Sequence, residues 1–98
     1  MTERCYSVYI MASRRNGTLY VGITNHLGAR AFQQRSGVGS QFTAKYGVKT
    51  LVWYEHCGDV RDAIAREKQL KKWERRWKLE LIERFNPDWH DLYETLNN

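Results

Sequence analysis

Proline occurs once in the chain, at position 87, and cysteine twice, at positions 5 and 57. With so little proline, no low-complexity segment and no linker-like stretch, an extended disordered region is excluded and only the termini are expected to be loose. The two cysteines lack the paired C-x-x-C spacing of zinc and redox motifs, so both are expected to be reduced thiols acting as small buried hydrophobes. No apolar run approaches the roughly 20 residues of a membrane helix, and "MTERCYS" lacks a signal peptide's positive start and apolar middle. The expectation is a soluble, cytoplasmic protein. The 98 residues suffice for one core and not for two, so residues 1–98 are expected to form a single domain.

Acidic residues are also in deficit, giving a formal net charge of +5. Residues 1–60 hold seven Lys/Arg against three Asp/Glu, residues 61–84 nine against five, and residues 85–98 none against three. Two basic regions are followed by an acidic tail. A basic body favours a polyanionic partner, with phosphate the commonest target and anionic lipid the rarer one. No segment sets one clean apolar face against a dense basic one, which disfavours attachment to an acidic membrane surface.

"YSVYIMA" and "TLYVGIT" read as strands, and Asn16-Gly17 between them is a hairpin signal. A two-residue type I′ turn would place Arg15 opposite Thr18, Ala12 opposite Val21, Met11 opposite Gly22 and Tyr9 opposite Thr24. One face then carries Val8, Ile10, Ala12, Leu19, Val21 and Ile23 as the core side, and the other, polar side carries Tyr9, Met11, Tyr20 and Gly22. "NHLGARAFQQRSG" predicts a helix with Asn25 as N-cap and Gly37 as its stop. "VGSQFTAKYGVK" reads as a glycine-punctuated loop and "TLVWYEH" as a third strand. One or two helices follow from near Asp59 to before Pro87, with any break near "WERRW". This order is an α+β pattern, a small three-stranded antiparallel sheet flanked by helices.

Glu67 stands out on its helix. At about 100° per residue from Val60, Ala63 lies at about −60°, Ile64 at +40°, Leu70 at −80° and Glu67 at −20°, inside the apolar stripe. A carboxylate there needs a cation, hydrogen bonds or a metal, because burying it bare costs several kcal/mol. An ordinary i, i+4 pair with Lys71 answers the same need, at about 0.3–0.5 kcal/mol.

Taken together these segments resemble the GIY-YIG nuclease family. "SVY" at Ser7 to Tyr9 resembles the first signature, with Ser7 where glycine is usual, and "YVG" at Tyr20 to Gly22 resembles the second. "NHLGAR" matches the helix bearing a catalytic arginine, mapping it onto Arg30. "AREKQLKKW" matches the helix bearing a metal-binding glutamate, mapping it onto Glu67, and "NPDWHDLY" resembles the closing segment, mapping an asparagine onto Asn86. The match spans nearly the whole chain and is closest to small standalone bacterial members. Gln34 departs from it, standing where many members have histidine four positions after the arginine, and Ile23 stands where some repair nucleases of the family have lysine.

The resemblance implies hydrolysis of phosphodiester bonds in DNA, with RNA not excluded, in repair or recombination, using a single divalent ion, Mg²⁺ or Mn²⁺, held by Glu67. Such an ion accepts one or two carboxylates with waters and substrate oxygens completing its shell, and the acidic cluster of a two-metal clamp is not evident near the matched motifs. Arg30 would hold the scissile phosphate through its forked donors. Tyr9 is the candidate general base, which requires Arg30 and the metal to lower a phenol that ordinarily titrates near pH ~10. Tyr20 would orient water or phosphate, Gly22 would leave room between the two rings for a nucleic-acid strand, and Asn86 would serve in positioning.

Lys45, Lys68, Lys71 and Lys72 are candidates for backbone phosphate contacts, Lys45 from the loop "SQFTAKYG". Trp73 and Trp77 in "KKWERRWK" suit either a core pair overlaid by cationic stems or a stacking surface for bases. His26, His56 and His90 lack metal-ligand spacing and are expected at caps, surface or core. The alternative to the enzyme is a non-catalytic nucleic-acid-binding module of the same fold, acting with a protein partner that supplies specificity.

Overall fold

The computed structural model describes residues 6–37 and 41–96. Three strands form one antiparallel sheet in the order β2-β1-β3, with β1 at Tyr6–Ala12, β2 at Leu19–Thr24 and β3 at Thr50–Cys57. The helices are α1 (Leu27–Arg35), α2 (Gln41–Tyr46), α3 (Val60–Lys72) and α4 (Arg75–Phe85), and a 3₁₀ turn covers Leu92–Thr95. This is the α+β arrangement that the strand and helix pattern predicts, including the break between α3 and α4. That break needs no proline: Trp73 and Glu74 both adopt extended backbone, with ψ 148 and 150. Asp59 caps α3 by accepting from the amide of Arg61 at 2.8 Å.

The hairpin register differs from the expected one. Tyr9 faces Gly22, Met11 faces Tyr20 and Ala12 faces Leu19. The reversal is a wider loop, closed by Ser13 N to Thr18 O at 3.0 Å and Gly17 N to Arg14 O at 2.9 Å. A type I′ turn needs positive φ at both central residues, and only Asn16 has it, at 60°. The pairing is displaced by two residues, so every side chain keeps its predicted face. Two further expectations are corrected. The α1 cap is His26 rather than Asn25, its ring accepting from the amide of Ala29 at 3.4 Å. Part of the predicted glycine-punctuated loop is helix α2, with residues 38–40 of that segment and Cys5 outside the described residues. Gly37 does end α1 in the left-handed region, at φ +84.

The expected polar side of the sheet is a second core. Val8, Ile10, Ala12 and Val21 pack on one side with Ala63 and Leu70 of α3 and Ile82 of α4. On the other side Tyr9 and Met11 pack with Leu27 and Ala31 of α1, Val48 and Leu51, and the C-terminal turn adds Leu92, Tyr93 and Leu96. Helices alone do not close this second face. Arg35 of α1 pairs with Glu94 at 3.0 Å and with Asp91 at 3.8 Å and lies 5.0 Å above the Tyr93 ring, so the acidic tail closes over a basic helix end. Among the described residues no helix is long and apolar enough to cross a membrane.

Candidate active site

The centre of β1 fixes Tyr9. Its ring points into the second core and its residue is only 1% exposed. Arg30, one turn into α1, aims Nη1 at the Tyr9 hydroxyl at 3.4 Å, and Gln34, one turn further on the same helix face, aims Nε2 at it from 3.4 Å. Both bonds are long, near the outer limit for N–H···O geometry. Tyr20 on β2 tilts against Tyr9 at 43°, with ring centroids 6.4 Å apart.

Gly22 is the residue that makes this packing feasible. A Cβ at position 22 would lie 2.5 Å from both Cζ and the hydroxyl of Tyr9, and 3.0 Å from Cε2 of Tyr20. The space above Gly22 is therefore filled by the two tyrosines themselves, where the sequence suggested an opening for a nucleic-acid strand. Tyr9, Tyr20, Gly22, Arg30 and Gln34 thus form one cluster on β1, β2 and α1.

The electrostatics of Tyr9 run against its expected role. Burial pushes the phenol above its ordinary range; the hydrogen bond and charge of Arg30 pull it down by less, Tyr20 adds to the rise and the Gln34 bond subtracts from it. The phenol therefore keeps its proton at neutral pH, and the cation expected to ionise it only offsets part of the cost of burial.

Glu67 occupies the margin of the α3 stripe rather than its centre. Ala63 and Leu70 are the buried positions, whereas Val60 and Ile64 are 38% and 39% exposed. The stripe is rotated away from Ile64, which leaves the Glu67 side chain 17% exposed and paired with Lys71 Nζ at 3.1 Å. Both sequence readings of Glu67 thus have physical content, since it is a half-buried carboxylate whose partner is an i, i+4 lysine. Among the described residues no three or more of His, Cys, Asp and Glu gather as a metal cage. A single hard carboxylate oxygen donor fits an ion such as Mg²⁺ that keeps most of its waters, and does not fit an all-protein cage.

Asn86 is separately engaged. It is 4% exposed and ends α4, its Nδ2 donating to Val52 O at 3.2 Å and His90 O at 2.9 Å while Oδ1 accepts from His90 N at 3.1 Å. Val52 is the extra residue of a β-bulge, since Ile10 faces Trp53 and Met11 faces Leu51. Asn86 therefore satisfies a carbonyl that the bulge leaves outside the ladder, and both its amide protons are spent on backbone.

The cationic candidates are dispersed. Lys45 is exposed on α2, 5.5 Å over the Tyr46 ring, Lys68 and Lys72 are exposed on α3, and Lys71 is held by Glu67. Trp73 packs against the first core and Trp77 lies edge-on to it at 6.0 Å, 44% exposed, so the pair divides between the two roles foreseen for it. His56 bonds to Ser7 Oγ at 2.8 Å, an interaction with no signal in the sequence, and His90 is a surface residue near Asp88.

Residues 5–80 match the model of the GIY-YIG catalytic domain. The chain belongs to the GIY-YIG family. As a GIY-YIG domain it is related to nucleases, which act on nucleic acid. It is similar to UPF0213 proteins of bacteria: 37% identical over 75 residues to one from Clostridium perfringens, covering 76% of this chain and 80% of that protein. One from Pseudomonas aeruginosa is 34% identical over 79 residues, covering 81% and 75%. One from Staphylococcus haemolyticus is 33% identical over 76 residues, covering 78% and 92%. No solved structure matches the chain.

Proposed function

We propose that this GIY-YIG protein is a divalent-metal-dependent endonuclease that hydrolyses phosphodiester bonds in DNA. The observation that carries the reading is the cluster in which the Arg30 guanidinium meets the Tyr9 hydroxyl beside Tyr20, on a chain whose family match covers those residues. Glu67 would hold one Mg²⁺ or Mn²⁺ ion, with water and substrate oxygens completing the shell. The ion, when bound, supplies positive charge against the charge that builds on the phosphate oxygens in the transition state.

The protein's own residues do the rest. Arg30 binds the phosphate through two parallel N–H donors and places a fixed charge against it in a partly water-excluded setting. The neutral phenol of Tyr9 donates a hydrogen bond that orients the attacking water or a phosphate oxygen, a role open to it without ionisation. Tyr20, half-buried and tilted against the Tyr9 ring, orients the same groups. Asn86 acts at a distance, by fixing the end of α4 against β3.

A second reading is favoured by the depth of Tyr9 and by Gln34: a non-catalytic module that keeps the fold and binds nucleic acid with a partner. One experiment separates them. Wild type, Glu67→Ala and Arg30→Ala are incubated with single-stranded, duplex and branched DNA and with RNA, in Mg²⁺, Mn²⁺ or chelator. The nuclease reading expects product from the wild type that disappears in chelator and in both variants while circular dichroism reports them folded. No product on any substrate, or product indifferent to both chelator and mutation, refutes it.

A further inference from the structure

A polar hollow of about 660 Å³ opens at the hairpin end of the sheet. Its walls include Ser13, Arg14 and Thr18 from the tip, Tyr46 and Gly47 at the end of α2, and Arg75 at the start of α4; no lining residue is acidic. Two arginines lining one hollow without a carboxylate give it a single-sign field, the kind that attracts an anion. Arg75 is anchored, its Nη2 donating to the carbonyls of Asn16 at 2.7 Å and Gly17 at 2.5 Å, which fixes the guanidinium while leaving other N–H groups unspent. Arg14 is exposed and has no ion-pair partner among the described residues. Nearby, Lys78 is pulled below its usual range, chiefly by burial and secondarily by the charge of Arg75.

The hollow spans the end of the sheet, with Arg75 reaching it from α4 on the first-core side and its other wall running onto the tyrosine face. Ser13 and Thr18 continue the register of Met11 with Tyr20 and Tyr9 with Gly22, so all three pairs share one side of the sheet. Val48, two residues past the end of α2, packs into the same core as Tyr9. Thr18 stands four residues before Gly22, about 14 Å along the strand at ~3.4 Å per residue. One phosphate cannot reach both places, whereas a polymer with a charge every ~3.4 Å of axis can.

We propose that this hollow binds a backbone phosphate of the nucleic-acid strand a few nucleotides from the bond under attack, with Arg14 and Arg75 as its cations and the Thr18 hydroxyl as a donor. The identity of the ligand rests on the nuclease reading; the chemistry of the site does not. Arg75 holds the tip by orientation as well as charge, so Arg14 is the residue whose removal reads binding alone.

The test is fluorescence anisotropy with labelled single-stranded and duplex DNA, in chelator so that the probe stays intact, across about 50–200 mM salt. Arg14→Ala is expected to weaken binding by roughly 3–10-fold and to reduce the slope of log K against log salt by about 0.9 on duplex and 0.7 on single strands, one phosphate contact. Arg14→Glu lowers affinity further. Arg76→Ala, whose side chain pairs with Glu74 on the outer face of α4, leaves both quantities unchanged. Binding and slope unaltered in Arg14→Ala and Arg14→Glu, with a wild type that binds, overturn the proposal and leave the nuclease reading standing. A wild type that binds neither probe overturns both. A wild type that binds but never cleaves, with the slope reduced in Arg14→Ala, supports the phosphate subsite and refutes only the nuclease.

Discussion

Replacing Gly22 with alanine tests whether the tyrosine cluster is as tightly built as its geometry indicates. The new methyl would meet the Tyr9 ring end at 2.5 Å and the Tyr20 ring at 3.0 Å. Neither neighbour yields freely: Tyr9 is 1% exposed, hydrogen-bonded at its tip and confined by α1 on its far side. Overpacking of this kind costs about 1–3 kcal/mol, and the loss of glycine freedom in the unfolded chain returns about 0.4–1 kcal/mol. Gly22→Ala should therefore be less stable by about 1–2 kcal/mol, a fall in Tm of roughly 5–15 °C for a domain of this size. Gly28→Ala is the matched control, because a Cβ there meets nothing within 4 Å and the residue lies in α1; a gain of up to about 1 kcal/mol is expected. Urea unfolding followed by tryptophan fluorescence measures both. If Gly22→Ala unfolds at the same urea concentration as the wild type while Gly28→Ala gains, the packing of Tyr9 over position 22 is wrong and the cluster with it.

Asn86→Ala should cost about 2–3 kcal/mol in the same assay, because the buried carbonyl of Val52 loses its donor and the loop to His90 loses two further bonds; a loss under about 0.5 kcal/mol would show that the bulge carbonyl reaches water. The raised phenol of Tyr9 predicts a pH limb. A group whose folded pKa exceeds its unfolded one contributes stability that is whole below the unfolded value, near pH ~10 for tyrosine, and is lost as pH rises through the folded one. Unfolding free energy should therefore decline above about pH 10 more steeply in the wild type than in Tyr9→Phe; equal slopes would place the phenol in water.

Most of the fold was legible because alternation and capping are local. The faces of β1 and β2 survived a wrong turn type since the displacement was an even number of residues, and parity alone assigns faces. The register itself was not legible: Asn16-Gly17 signals a reversal but not its width, and the wider loop is closed by bonds between Ser13 and Thr18 and between Gly17 and Arg14, with Arg75 bonded to the tip carbonyls. Nor was the second core. Tyr9 and Met11 alternate with the aliphatic residues as solvent-facing positions would, and only tertiary packing of α1, Val48 and the C-terminal turn covers them. Among candidate site residues, Arg30 was placed beside Tyr9 by the resemblance and stands there, while the bond from Gln34 follows from its position one turn further along α1. Asn86 could be located in sequence but its bulge carbonyl could not, because bulges leave no fixed residue pattern.

At Tyr9, packing and chemistry pull in opposite directions. Holding the hydroxyl against Arg30 requires a well-packed ring, packing excludes water, and exclusion of water disfavours the phenolate more than one guanidinium at 3.4 Å favours it. Gln34 sharpens the conflict. Its Nε2 makes a long bond to the phenol, and its Oε1 is buried without a hydrogen-bond partner among the described residues. An unsatisfied buried acceptor costs about 1–3 kcal/mol, more than a stretched neutral hydrogen bond returns. A methionine of similar volume would pack there without that cost, so packing alone does not account for an amide at position 34. A donor that comes to Oε1, water or a substrate group, would. The carboxamide would then join the phenol to that donor, and because an amide takes up no proton at neutral pH, the hydrolysis proposed above would need a route other than the Tyr9–Gln34 pair for the proton of its attacking water.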